Sequence, residues 1–389
     1  MTPRRCVPAV VLALGLLASA CSSGGAASDT SRPRSTAPST TAPVPMAVPG
    51  ATWQKVTPAS VGLSATALGQ IAQTAHVGKS RCLVVARRGT IAGEWYFDGT
   101  GPDTTQNVFS ATKSIASTLI GIAQDEGDLR VTDRVSKYVP EWRNTPSSDV
   151  TIRDILSGVS GRQWSPLIDY RQLVRAKNAD AFAVGLHQAA APGTVWDYNN
   201  SADQVLDEVL RHATHENVVQ FAHVKLFAPI GMDHTHLTTD PSGNALLYEG
   251  MQSSCEDMAR LGLLFLDRGR WGTHQIVSSA WVDAATGASS SRLNAAYGYL
   301  WWLNRPGRLK GPLSATNVAA AAKPETEDGS LVPGLPATTY WALGLGNQLV
   351  QVDPGSGTIV VRLGTPEPQP KPPTFGPKEA SRVVTEAVQ

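Results

Sequence analysis

The sequence has almost no net charge and few cysteines, and both shortages exclude classes of function. Its 389 residues carry a formal net charge of +1, so no basic field would draw the chain to nucleic acid and no acidic run forms a tail. Four cysteines occur and none forms a C-x-x-C pair, which excludes a thiolate metal site of the usual spacing. The length allows a sizeable core in one large domain or two smaller ones.

The first twenty residues have the pattern of a signal peptide. Arg4 and Arg5 precede an apolar stretch, residues 7–17, that is too short to span a bilayer, and small residues follow it. Cys21 directly after them resembles a bacterial lipobox, although Ala18 stands where Leu or Val is usual. We expect export and lipidation at Cys21, which would make the membrane a partner; a plain secretory signal is the alternative.

Residues 21–52 are rich in Ser, Thr, Pro, Ala and Gly and poor in large apolar side chains. Such a segment buries too little surface to order itself, so we predict a tether between a lipid anchor and a folded domain. The folded domain is predicted to span residues 53–389. Its sheet part covers about residues 53–109 and 272–389, and its helical part about residues 110–271.

The apolar periodicity predicts an α+β fold, in which one antiparallel sheet is built from both chain ends and a helical subdomain is inserted between them. Predicted strands are Cys82–Ala86, Thr90–Tyr96, Tyr297–Leu303, Thr338–Leu343, Gln348–Val352 and Thr358–Leu363. Predicted helices are Ala65–Ala75, Lys113–Glu126, Thr151–Ser157, Ala179–Gln188, Ala202–His212, Val218–Phe227, Ser254–Asp267 and Lys378–Ala387. The Pro- and Ala-rich segment 305–336 is predicted to be a surface loop.

The first candidate site is the tetrapeptide Ser110-Ala-Thr-Lys113, at the start of a predicted helix. Positions three apart lie side by side on a helix, so the Lys113 amine can approach the Ser110 hydroxyl as a base approaches a nucleophile. Taken alone, the same residues also fit a helix cap followed by a solvated lysine.

The second candidate is Tyr198-Asn-Asn200, which follows a Pro-Gly turn and precedes a helix. An extended Tyr-x-Asn places a phenol and an amide on the same side of the chain. A lone tyrosine is more often a buried ring than a catalyst. Its occurrence after the Ser-x-x-Lys pattern favours a shared catalytic site.

Together these segments resemble the serine β-lactamase and penicillin-binding-protein superfamily. The similarity lies with its class C-like branch of DD-carboxypeptidase-like hydrolases, esterases and 6-aminohexanoate-dimer hydrolase. It extends from about residue 59 to the C-terminus and includes "VFSATKS", "PGTVWDYNNSA", "SSCEDMARLGLLFLDRG", "YGYLWW" and "GLGNQLVQVDPGSGTIVVRL".

The resemblance implies an enzyme that acts on a small-molecule ester, amide or peptide through an acyl-enzyme at Ser110. Lys113 and Tyr198 would move the serine proton, in a division of labour that the sequence leaves open. Asn200 would hold Lys113 or the substrate carbonyl. The oxyanion would be bound by backbone N–H groups of Ser110 and of the strand region near Leu345, within the segment from Gly344 to Gly346.

One element departs from the family pattern, because no Lys-[Ser/Thr]-Gly motif occurs anywhere. The corresponding segment, "TYWALGLGNQ", is similar to the Gly-x-Gly versions of esterase-like branches and supplies no cation for a substrate carboxylate. We therefore expect poor turnover of β-lactams, unless a cation such as Arg162 or Lys323 enters the pocket. Trp164 or Trp341 is expected to line a cleft for an apolar acyl group.

Three alternatives remain open from the sequence: a β-lactamase, a DD-carboxypeptidase-type cell-wall hydrolase, and a non-catalytic lipoprotein that binds cell-wall material. Histidines in "HATHEN" and "MDHTHL" do not assemble a metal site with defined spacing, and we predict neither a metal nor a cofactor. Cys82 and Cys255 fit either a disulfide or two separate buried thiols.

Overall fold

The structure, a computed structural model, describes residues 46–312, 327–365 and 375–389. The predicted signal peptide, Cys21 and the tether up to residue 45 lie outside these ranges, and so does Lys323. Within them, no helix combines the length and the apolar character that crossing a membrane requires.

Ten α-helices occur in the described ranges, together with shorter 3-10 and π-helical turns. The α-helices are α1 (Ala65–Val77), α2 (Thr112–Glu126), α3 (Ile152–Leu156), α4 (Ala179–Gly185), α5 (Asn200–Thr214), α6 (Val218–Ala222), α7 (Ala228–Ile230), α8 (Cys255–Leu266), α9 (Ser279–Val282) and α10 (Pro377–Ala380). The 3-10 turns are Pro58–Val61, Phe109–Ala111, Val135–Lys137, Pro140–Trp142 and Leu173–Arg175, and the π-helical turns are Ile168–Gln172, His223–Phe227, Asp283–Gly287 and Val383–Ala387.

Thirteen strands in the same ranges form one large sheet and three small ones. They are β1 (Ser80–Arg87), β2 (Thr90–Tyr96), β3 (Gln106–Asn107), β4 (His236–Leu237), β5 (Met251–Ser253), β6 (Arg270–Trp271), β7 (His274–Gln275), β8 (Trp302–Leu303), β9 (Gly307–Leu309), β10 (Glu327–Gly329), β11 (Tyr340–Gly344), β12 (Gln348–Asp353) and β13 (Thr358–Gly364). The large sheet has the antiparallel order β2-β1-β13-β12-β11-β8. It joins strands from both ends of the chain, which confirms the predicted fold class.

Both faces of the large sheet are covered, because alternate residues of β1 enter two different apolar clusters. Val84 and Ala86 belong to the cluster that contains the apolar residues of α2 and α8. Leu83 and Val85 belong to the cluster that contains those of α1 and the C-terminal turn. Successive side chains of a strand point to opposite faces, so β1 is buried on both. The disulfide between Cys82 and Cys255 links β1 to the first residue of α8 and decides between the two alternatives for these thiols.

The predicted ends of two helices follow from local chemistry. The Ser64 hydroxyl accepts the Ala67 N–H at the start of α1, as expected of an N-cap. Gly127 ends α2 in the left-handed region, with φ of 90°, which glycine adopts without a steric penalty.

The predicted strand Tyr297–Leu303 is wrong over most of its length. Only Trp302 and Leu303 pair with β11. The preceding residues form a tight turn in which the Gly298 N–H bonds to the Trp301 carbonyl and Leu300 has a φ of 57°. The aromatic residues there resemble a strand in sequence because they are buried in the core.

Candidate active site

Ser110 lies in the 3-10 turn that connects β3 to α2, and this turn is strained. Phe109, directly before it, has a φ of 48°, which a bulky side chain rarely adopts. Two contacts hold the turn: the Asn107 side-chain oxygen accepts the Phe109 N–H at 2.6 Å, and the Val108 N–H donates to the Met251 carbonyl at 3.0 Å. The loop therefore fixes the position of the Ser110 side chain.

Lys113 lies one turn further along, and the structure brings its amine next to Ser110. Its Nζ is 3.1 Å from Ser110 Oγ and donates a hydrogen bond of 2.7 Å to the Tyr248 carbonyl. The side chain is 1% exposed. Burial lowers the pKa of Lys113, and the carboxylates of Asp203, Glu249 and Asp169 oppose that shift. The lowered pKa shifts the amine beside the serine hydroxyl toward its neutral form, which can accept a proton.

Tyr198 completes the group around Ser110. Its hydroxyl interacts with Ser110, and Lys113 Nζ lies 4.8 Å from the centre of its ring. The ring stacks on Trp302 with a centroid distance of 5.6 Å. Burial raises the pKa of Tyr198, so the phenol keeps its proton at neutral pH.

The start of α5 positions the Tyr198 loop. The Asn199 side chain accepts the Ala202 N–H at 2.8 Å as a helix cap and donates to the Arg162 carbonyl at 3.2 Å. The Asp169 carboxylate accepts the Asn200 N–H at 2.6 Å. The contacts with Arg162 and Asp169 hold the Tyr198 loop against residues 162–169.

Asn200 lines the cavity beside Ser110, and its side-chain oxygen is buried without a hydrogen-bond partner in the described part of the chain. The contact that fixes the Lys113 amine is instead the Tyr248 carbonyl. An unpartnered buried oxygen is available for a substrate N–H. The predicted role of Asn200 toward the substrate stays a prediction.

Gly344 ends β11 against the Ser110 turn, and Leu345 and Gly346 form the turn that follows. A Cβ at Gly344 would lie 2.1 Å from the Val108 carbonyl oxygen, so only glycine allows this close approach. Leu345 is 60% exposed and lines the cavity together with Gly346, whose φ is 74°. The end of the strand therefore forms one wall of the site, where a backbone N–H was predicted to bind the oxyanion.

A cavity of about 450 Å³ opens beside Ser110. Its lining residues are Phe109, Ser110, Tyr170, Tyr198, Asn200, Glu249, Trp302, Gly311, Pro312, Leu331, Leu343, Gly344, Leu345, Gly346 and Asn347. Trp302 is the tryptophan of this lining, and neither Trp164 nor Trp341 belongs to it; Trp341 is fully buried and bonds to Gln351. The predicted surface loop 305–336 contains two short paired strands, β9 and β10, and its residues Gly311, Pro312 and Leu331 line the cavity.

Arg162 does not line this cavity. It is 3% exposed and borders a second cavity, of about 510 Å³, beside α4. Its guanidinium lies over the Trp142 ring at 4.2 Å. In the described ranges, no group of three or more His, Cys, Asp or Glu side chains is arranged to hold a metal ion.

Sequence reasoning missed the acidic residues that surround Lys113. Asp203 lies three residues after Asn200 in α5, and its approach to Lys113 depends on the packing of α5 against α2, which no local spacing predicts. Asp169 and Glu249 come from separate loops, and no local pattern connects them to Lys113. Burial raises the pKa of Asp169 to about 6, although three hydrogen bonds from Asn200 and Ser201 favour its ionised form.

Comparison with known proteins places these features in a family. The Beta-lactamase family model matches residues 72–379. The 6-aminohexanoate-dimer hydrolase of Paenarthrobacter ureafaciens is 23% identical over 287 residues, which cover 64% of this chain and 70% of that protein.

Two solved structures show the same fold at low sequence identity. A family VIII carboxylesterase has a TM-score of 0.58 and 16% identity, and the match covers 83% of this chain and 97% of that one. A penicillin-binding protein homolog from Caulobacter crescentus has a TM-score of 0.57 and 16% identity, with 80% and 93% covered. Because the family model spans well over half of its length, this chain belongs to the Beta-lactamase family.

Proposed function

We propose that this member of the Beta-lactamase family is a serine hydrolase that cleaves esters or amides through an acyl-enzyme at Ser110. The observation that carries the proposal is the contact of 3.1 Å between Lys113 Nζ and Ser110 Oγ, with the Tyr198 hydroxyl at the same serine. A serine hydroxyl needs a neighbouring base to attack a carbonyl at neutral pH. Ser110 and Tyr198 line a cavity large enough for a small substrate, and Lys113 lies behind them.

The opposite pKa shifts support a division of roles. Neutral Lys113 takes the proton from Ser110 Oγ as the oxygen bonds to the substrate carbonyl carbon. Tyr198, protonated at neutral pH, donates a proton to the leaving alcohol or amine as the scissile bond breaks, and is reprotonated from Lys113. A water molecule then attacks the acyl-enzyme with the same groups as base and acid, and this step releases the acid and restores Ser110.

The tetrahedral oxyanion is proposed to accept hydrogen bonds from the backbone N–H groups of Ser110 and Leu345. The close approach of Gly344 to the Ser110 turn supports this arrangement, because it brings the end of β11 to the nucleophile. Losing one such donor commonly costs about a hundredfold or more in rate.

The related proteins support the reaction class, since one is named for an amide-cleaving hydrolysis and another as a carboxylesterase. The lining favours substrates without a carboxylate, because no lysine or arginine is among the cavity residues in the described ranges. Esters and uncharged amides therefore come before β-lactams as candidate substrates.

The proposal is tested by hydrolysis of p-nitrophenyl butyrate. Ser110→Ala should abolish turnover, whereas Ser117→Ala on the same helix should keep it, because the Ser117 hydroxyl is buried without a partner in the described chain. Both variants are compared with the unchanged protein by thermal unfolding. Full turnover by a folded Ser110→Ala protein would contradict the proposal.

We also propose that the protein is exported and held at the membrane by a lipid on Cys21. The disulfide between Cys82 and Cys255 supports export, because such bonds persist in oxidising compartments. The intact protein should partition with membranes, and a Cys21→Ala variant processed at another site should not. Recovery of the unmodified protein from the culture medium alone would contradict the anchor.

A further inference from the structure

The cavity beside Ser110 is lined by aromatic rings and one carboxylate. Four of its residues present aromatic rings: Phe109, Tyr170, Tyr198 and Trp302. One residue, Glu249, is acidic, and no lysine or arginine from the described ranges joins it. Aromatic faces attract cations, and a carboxylate without a basic partner at the same surface does so more strongly.

Glu249 is held close to the proposed catalytic group. It follows Tyr248, whose carbonyl binds the Lys113 amine at 2.7 Å, and its carboxylate interacts with the Tyr248 hydroxyl. The side chain is half-buried at the cavity wall, so a ligand can contact it while water around it is limited. No ion pair with Glu249 occurs in the described part of the molecule at 4 Å or less.

Glu249 is the carboxylate that a ligand in the cavity meets, because Asp169 and Asp203 are not among the lining residues. Burial raises the pKa of Asp169 to about 6 and of Asp203 to about 7, which weakens their negative charge at neutral pH. Burial also raises the pKa of Glu249, but Lys113 and the Tyr248 hydroxyl oppose that shift and favour the ionised carboxylate. A carboxylate-bearing substrate would meet repulsion there, whereas an ammonium group would meet both rings and a carboxylate.

We infer that the substrate is a cationic ester or amide, and that Glu249 with the aromatic rings of the cavity binds its ammonium group. This inference rests on the proposed function, because it concerns the specificity of the same site. Glu249 acts here as a specificity-determining residue: it selects substrates by charge and takes no part in the transfer of the acyl group.

The experiment uses two pairs of matched substrates. One pair is the p-nitrophenyl ester of a trimethylammonium-substituted butanoate and its neutral isostere with tert-butyl in place of trimethylammonium. The other pair is butyrylthiocholine and its tert-butyl isostere, which places the charge on the leaving group. The ratio of kcat/KM for cationic over neutral substrate is measured for the unchanged protein, Glu249→Gln and Glu249→Asp.

At least one pair should show a ratio that falls about tenfold or more in Glu249→Gln, the usual size of a charge-assisted contact. The ratios are compared at a pH on the plateau of the kcat/KM profile, because the Glu249 carboxylate also raises the pKa of Lys113. The loss on the cationic substrate should exceed any change on the neutral ester, and Glu249→Asp should keep most of the preference. Glu141→Gln, an exposed glutamate elsewhere, should leave both ratios unchanged.

An equal ratio in the unchanged protein and in Glu249→Gln, for both pairs, would overturn the inference. So would an equal loss on cationic and neutral esters, which would make Glu249 part of the chemistry or of the fold. Turnover of the neutral esters alone would leave the proposed function intact while rejecting charge selection. Absence of turnover for every ester would overturn both.

Discussion

Two buried basic side chains, Lys113 and Arg162, differ in what surrounds them: Lys113 contacts Ser110, which lines the first cavity, and Arg162 itself lines the second. Lys113 is 1% exposed and Arg162 is 3% exposed. The Lys113 amine contacts the Ser110 hydroxyl and one carbonyl. The Arg162 guanidinium instead donates to the Ser147 hydroxyl at 2.5 Å and to the carbonyls of Ala183 and Val184, near the end of α4.

Burial lowers the pKa of both basic side chains, and the difference between them lies in the groups that they contact. Burial lowers the pKa of Arg162 to about 10, so the guanidinium stays charged at neutral pH and stabilises the C-terminal carbonyls of a helix. Burial also lowers the pKa of Lys113 and shifts it toward the neutral amine, which in the proposed mechanism accepts a proton from Ser110. The Lys113 amine lies where it can exchange a proton with a hydroxyl, whereas the Arg162 guanidinium only donates hydrogen bonds that stabilise the fold.

The largest effect is expected when lysine and arginine are exchanged at these two positions. Lys113→Arg should lower kcat/KM for p-nitrophenyl butyrate by about a hundredfold or more, because arginine cannot serve as a base. Arg162→Lys should leave kcat/KM within about threefold but lower the free energy of unfolding by about 1 to 3 kcal/mol through lost hydrogen bonds. Full activity of a folded Lys113→Arg protein would remove the lysine from the mechanism.

Removing the phenol hydroxyl tests the other member of the Ser110 group. Tyr198→Phe should lower kcat by about a hundredfold, the usual range for loss of an acid or base. The ring keeps its stacking on Trp302, so the thermal unfolding temperature should hardly change. An unchanged rate would make Tyr198 structural, as Arg162 is.

A negatively charged substrate tests the difference between the second cavity, which Arg162 lines, and the Ser110 cavity, which has no lysine or arginine in its described lining. Nitrocefin carries a carboxylate, and the Ser110 cavity offers no lysine or arginine among its described lining residues. We expect its kcat/KM to be about ten- to a hundredfold below that of the neutral ester, the usual worth of a charge-assisted contact. Efficient nitrocefin hydrolysis would show that a cation outside the described ranges, such as Lys323, enters the cavity.

A buried acid pair lies between the helices that line the two cavities. Asp180 on α4 and Asp207 on α5 are 1% and 2% exposed, and burial raises the pKa of both, so the pair retains a proton at neutral pH. Because these pKa values lie above their unfolded values, the folded state binds more protons, and stability falls as pH rises above about 4.

Asp207→Asn should therefore raise the free energy of unfolding at neutral pH by about 1 to 3 kcal/mol, since asparagine donates to Asp180 without needing a proton. It should also weaken the decline of stability with increasing pH. Urea unfolding across the pH range checks both, with exposed Asp128→Asn as the control. Destabilisation by Asp207→Asn at neutral pH would contradict this account of the pair.

The smallest expected effect concerns the pH dependence of activity. Lys113 must be neutral to act as base, so kcat/KM should fall as pH drops through its pKa. The Asp203 carboxylate raises that pKa, and Asp203→Asn should therefore shift the acidic limb of the pH profile to lower pH. An unchanged limb, or a shift to higher pH, would contradict the proposed electrostatic coupling.

Much of the fold could be predicted because the relevant signals are local. Capping chemistry predicts the cap of α1 at Ser64 and the end of α2 at Gly127, and apolar patterns predict the strands of the large sheet except β8. The strand predicted at Tyr297–Leu303 is wrong because those aromatic residues are buried in a turn. A run of apolar residues indicates burial but does not distinguish a buried strand from a buried turn.

The residues of the candidate site also fall into two groups, those that local sequence predicts and those that it does not. Ser110 and Lys113 lie one helical turn apart, so their proximity could be predicted from spacing. Asp169, Tyr248 and Glu249 reach the site through tertiary packing of separate loops, and no local pattern contains that information. The disulfide between Cys82 and Cys255 also depends on the distance between β1 and α8, which only the folded chain defines.

The central claim is that Ser110 is the nucleophile, and the site of covalent labelling tests it most directly. The protein is treated with a fluorophosphonate, digested, and the adduct is located by peptide mass spectrometry. The account predicts a single adduct on the peptide that contains Ser110, and none in Ser110→Ala. An adduct on another serine, or one that persists in folded Ser110→Ala protein, would contradict it.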